Sequence, residues 1–123
     1  MKLLIAHLAF LVLAACAGNA ANPADANRNR LATVAASYGT VQTAAEAYIN
    51  RAPCTRTPRV VLCSDPNTVR TIQAADRTAF TAIDRANSAI KTNPSDPSLT
   101  SLITGAADAV SQFKAVTPPK EGS

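Results

Sequence analysis

Apolar residues return at alternating steps of three and four along three stretches of this chain, and proline stands in both breaks between them. In the first stretch Leu31, Val34, Tyr38, Val41, Ala45 and Tyr48 keep that spacing. In the second, Val69, Ile72, Ala79, Ile83, Ala86 and Ile90 share one face, with Phe80 beside them. In the third, Leu99, Leu102, Ala106, Ala109, Phe113 and Val116 repeat the alternation. Steps of three and four keep side chains on one side of a helix with 3.6 residues per turn, whereas a strand needs alternation at every second residue. Only the short Val60-Val61-Leu62 run comes near that second pattern, and it reads better as an apolar plug under a loop.

The punctuation agrees with three helices. Asn22 reads as an N-cap followed by Pro23 at the first helical position, with Asp25 favourable at the positive end of the helix dipole. The first helix is expected over about 24–50, ending before Pro53. Ser-Asp-Pro then occurs twice, at 64–66 and 95–97, each offering Asp as N-cap and Pro as first helical residue. These predict a second helix over 66–92, stopped by Asn93-Pro94, and a third over 97–116, ended by Pro118-Pro119. The expected fold is all-α: an antiparallel, up-down-up three-helix bundle. Its first two helices, about 27 residues each, would be about 40 Å long.

The segment before the bundle is of a different kind. Lys2 precedes an apolar run from Leu3 to Ala15 interrupted only by His7. The run is too short to cross a bilayer, which takes roughly 20 residues, and has the proportions of a secretory signal. It ends Leu13-Ala14-Ala15-Cys16, which resembles the lipobox of bacterial lipoprotein signals: an aliphatic and two small residues before a cysteine. The resemblance covers the first 16 residues. It implies cleavage before Cys16, lipidation of the Cys16 thiol, and a membrane anchor of several acyl chains, palmitate among them. Ala17 is not the aspartate that retains such proteins at the inner membrane, so the resemblance implies the outer membrane, facing the periplasm. An ordinary secretory signal cut after Ala17 or Ala20 is the alternative. The resulting division is a signal peptide at 1–15, a lipidated tether at 16–22, a helical bundle domain at 23–117 and a flexible tail at 118–123.

With Cys16 assigned to the anchor, Cys54 and Cys63 remain as an even pair. Secretion places them where disulfides persist, so they are expected to close the loop between the two long helices. Metal binding would require further thiolate or imidazole ligands, and a redox site would require Cys-x-x-Cys spacing. His7 is the only histidine, and it lies in the apolar leader.

Composition narrows the function further. Net charge is +4, falling to +3 once Lys2 is removed with residues 1–15, too mild to call for nucleic acid as a partner. Residues 16–123 hold only 18 Leu, Ile, Val and Phe, which makes a thin core that gains from a disulfide. A mature chain without histidine has no Ser-His or Cys-His nucleophile system. The eight acids are scattered, and the four glycines are isolated rather than gathered in a phosphate loop. No enzyme, cofactor or metal centre is expected.

Three features stand out as candidates for function. Arg51, Arg56 and Arg59 surround the cysteine pair, with no acid between residues 47 and 64, and would suit a protein or other anionic envelope partner at the 51–63 loop. Asp76 falls next to the second helix's seam. The seam is expected to rotate toward Ala75 and Phe80 and leave Asp76 at the boundary, with a register-setting pair to another helix as the alternative. Alanines 44, 45, 75, 79, 86, 106 and 109 allow close helix packing, or a surface for a second copy or a partner helix.

The bundle region resembles small alanine-rich helical lipoproteins of bacterial genomes and prophages, most recognisably over the Cys54–Asp65 loop. That resemblance implies a setting and no particular activity. The expected role is a non-enzymatic envelope lipoprotein, a membrane-anchored helical interaction or adaptor module. The alternatives are a phage-derived factor for lysis or superinfection exclusion and, further off, a carrier of a small apolar ligand. Spanin-type lysis lipoproteins are short and proline-rich, unlike this longer helical chain.

Overall fold

A computed structural model describes residues 22–54 and 62–119. They form three helices: α1 over Pro23–Ile49, α2 over Pro66–Thr92 and α3 over Leu99–Val116. All three pack on one another as an antiparallel up-down-up bundle, and the described residues contain no strand.

Local chemistry sets most of the helix ends. The Asn22 side chain accepts a hydrogen bond from the Ala24 N–H at 3.1 Å, and Pro23, which has no N–H to satisfy, opens α1. Asp65 caps α2 by accepting from the N–H groups of Asn67 at 3.0 Å and Thr68 at 2.9 Å. The Thr68 N–H leads in holding the Asp65 carboxyl below its usual range.

The second Ser-Asp-Pro behaves differently from the first. Asp96 accepts from the Ser98 N–H at 2.8 Å, and its carbonyl accepts from the Leu99 N–H at 3.1 Å. Asp96 therefore closes a turn that contains Pro97, Ser98 takes the N-cap position, and α3 begins at Leu99 rather than 97. The Ser98 hydroxyl first, and then its N–H, hold this carboxyl below its usual range.

The core runs the length of the bundle in two groups. Val41, Ala45, Tyr48, Ile72, Ala79, Ala109, Val110 and Phe113 pack near the α1–α2 loop. Leu31, Ala86, Ile90, Leu99 and Ile103 pack toward the other end. Alanines 45, 79, 86, 106 and 109 are buried, while Ala44 and Ala75 are half-buried. These small side chains let the helices approach closely.

Three expectations about the seams need correction. Phe80 is 59 % exposed and does not join the α2 core face, because its position lies about a quarter turn from Ile72 and Ala79. Leu62 is 52 % exposed and plugs nothing; Val60 and Val61 lie outside the described residues. On α3 the buried line runs through Ile103 and Val110, leaving Leu102 and Val116 half-buried.

Candidate functional site: the stapled end of the bundle

Residues at the end of α1 and the start of α2 form one connected cluster. Cys54 and Cys63 are joined by a disulfide with their Cα atoms 4.8 Å apart. Just inside it, the Cys54 N–H donates to the Ser64 carbonyl at 3.0 Å and the Ser64 N–H to the Ala52 carbonyl at 2.9 Å. This pairs Pro53 with Ser64 as an isolated parallel bridge. Ser64 is almost completely buried, and its hydroxyl donates to the Arg51 carbonyl at 3.0 Å. Tyr48, buried at the end of α1, accepts from the Asp65 N–H through its hydroxyl at 3.0 Å. The α1 terminus and the α2 cap are thus fastened by backbone, hydroxyl and disulfide together.

Arg51 is half-buried, with its guanidinium carbon 5.2 Å from the centre of the Tyr48 ring, a cation–π arrangement. It is held against the bundle end rather than extended freely into solvent. Arg56 and Arg59, the other two basic candidates, lie outside the described residues, as does the lipid-attachment candidate Cys16. Sequence reading did not assign Ser64 or the Tyr48 hydroxyl to this cluster. The only available signal was the small polar residue between Cys63 and the Asp65 cap.

The half-buried Asp76 accepts a 2.7 Å hydrogen bond from the Tyr38 hydroxyl on α1, which fixes the register of α1 against α2. It stays at the boundary of the seam and also sets register, so both readings of this residue describe part of its place. Burial, then the hydrogen bond and negative charge of Asp76, push the Tyr38 phenol up to about 12. The unfolded chain releases this proton near pH 10. The folded form therefore holds the proton more tightly. The stability this gives is whole below pH 10 and is lost as the pH climbs through about 12. Tyr38→Phe is expected to cost about 1.5 kcal/mol at neutral pH and to remove this part of the alkaline decline. Urea titrations of both proteins across that range check it, and parallel alkaline curves would refute it.

Beside this pair, a space of about 70 Å³ lies over Ile72 and Phe113, with Gln42, Glu46 and Gln73 at its edge. That is far below the roughly 300–1,000 Å³ of a drug-sized ligand pocket. Among the described residues, no three His, Cys, Asp or Glu side chains gather where a metal ion could be held. No described helix is long and apolar enough to cross a membrane. Comparison with known protein families, curated proteins and solved structures gives no match to this chain.

Proposed function

We propose that this chain is a lipid-anchored cell-envelope protein that works as a helical adaptor, fixed to the outer membrane through Cys16 and presenting its disulfide-closed end to a protein or anionic envelope partner. The observation that carries this reading is the Cys54–Cys63 bond at the end of α1 opposite its N-terminus. A covalent closure suits an oxidising compartment, and Arg56 and Arg59 lie in sequence between the two joined cysteines. α1 has 27 residues, so the closed end stands about 40 Å along the helix from the end nearer Cys16. Arg51, packed on Tyr48, gives that end a fixed positive charge.

The anchor is tested by growing cells with labelled palmitate. Wild-type protein is expected to take up label and fractionate with membranes, and Cys16→Ser protein is expected to do neither. Label entering the Cys16→Ser variant would end the anchoring assignment. The adaptor role is tested by crosslinking from positions 56 or 59 in living cells, with charge reversal at residues 51, 56 and 59 as the control. One partner that disappears on charge reversal is the expected result. An unchanged set of crosslinked proteins would contradict it.

A further inference from the structure

The face that α1 and α2 share has features the bundle itself does not use. Phe80 stands 59 % exposed on it. Near it, a groove of about 340 Å³ is lined by residues of these two helices alone, including Ala32, Ala35, Ile83 and Ile90. Gly39 lies in the middle of α1, where glycine costs about 1 kcal/mol relative to alanine. Yet a Cβ there would meet nothing within 4 Å. Packing within one chain gives no reason for the missing side chain.

The charges on this face are ordered along both helices. Asp25, Ala32, Gly39 and Glu46 follow one another at intervals of seven on α1, so they form one row, acidic at both ends and small in the middle. Arg70, Arg77, Asp84 and Lys91 form a row of the same spacing on α2, basic at both ends, with Phe80 near its middle. All of these residues are exposed. The Tyr38–Asp76 hydrogen bond fixes the relative height of the two helices. It brings Asp25 level with Lys91, and Glu46 level with Arg70, to within a turn. The one ion pair among the described residues is Arg28 with Asp25, both largely exposed.

We infer that this α1–α2 face binds a second copy of the same chain, about a two-fold axis parallel to the helices, with α1 of each copy against α2 of the other. Acidic row ends then meet basic row ends at both extremities, and Phe80 of each copy rests on Ala32 and Gly39 of its partner. The opposite arrangement, α1 against α1 head to tail, sets Asp25 beside Glu46 and Arg70 beside Lys91, which are like charges. A knob and a recess on one face are what a self-complementary two-fold interface requires. Phe80 supplies the apolar anchor, while the exposed charges fix orientation more than strength. Thr43, one turn before Glu46 on α1, already donates its hydroxyl to the Gly39 carbonyl at 3.0 Å, so covering it strands no donor.

The test is sedimentation velocity of the full chain in detergent, with helix content by circular dichroism as a check on folding. Wild type is expected to dimerise, and Phe80→Asp to weaken the dimer about tenfold or more with helicity unchanged. Glu46→Lys and Arg70→Glu should each weaken it roughly threefold or more, and the double swap should restore it, because each pair recurs across the two-fold. The inference fails if wild type is monomeric at about 100 μM, if Phe80→Asp associates like wild type, or if the double swap is no better than either single. A different polypeptide that copurifies in one-to-one ratio and is lost with Phe80→Asp would also overturn it.

Discussion

Phe113→Ala is expected to lower the stability of the folded chain by about 3–5 kcal/mol, the largest effect of any single substitution considered. Phe113 is fully buried and is the largest side chain in the core with no exposure. It lies in the group of Ile72, Ala79, Val41 and Ala45, and its ring centre is 5.8 Å from that of Tyr38. One side chain on α3 therefore packs against Tyr38, whose hydroxyl bond to Asp76 holds α1 and α2 in register. Its neighbours include several alanines, which cannot extend to fill a void, so the space left by the ring stays open. Domains of this size are stable by only about 5–15 kcal/mol, so the loss is a large share of the total. Urea unfolding of the purified chain should show a lower midpoint at nearly constant slope. A cost below about 1 kcal/mol would mean that the ring is not packed as described.

The second large effect concerns the staple. Replacing Cys54 and Cys63 together by serine is expected to cost about 2.7 kcal/mol, the entropy of closing a loop of about 10 residues. For a domain near 100 residues this corresponds to roughly 10–20 °C in Tm. The bundle should remain folded. The Ser64–Ala52 and Cys54–Ser64 backbone bonds, the Ser64 hydroxyl and the Tyr48–Asp65 contact all hold the two chain segments together without the sulfurs. Thermal melts of the variant, and of wild type with and without a dithiol reductant, measure the loss. If reduction leaves Tm unchanged, the hydrogen-bonded base alone holds this end.

How far the sequence reaches is clearest element by element. The helix ends at Pro23, Pro66 and Thr92 follow from chemistry within a few residues, so caps and prolines announced them within one position. The cysteine pairing was readable from parity and loop length. The start of α3 was not, because the same Ser-Asp-Pro triplet can cap a helix or close a turn. The choice at 95–97 depends on how the short link from α2 must bend to bring α3 back onto the bundle.

Seam membership was readable only to within one position. Each helix of this bundle meets two neighbours, so its buried stripe is wider than one heptad line. Ile103 and Val110 enter that stripe on α3, and Phe80 leaves it on α2. The partner of Asp76 was equally out of reach, since the periodicity of one helix carries no information about its height against another. Tyr38 lies 38 residues away in the chain, and only docking of α1 on α2 brings the two within 2.7 Å. By itself, then, the sequence determined what is local: three helices, where they stop, and which cysteines pair. The tertiary structure decided register, which aromatic ring is enclosed and which is left in solvent, because those depend on how two independently formed surfaces meet.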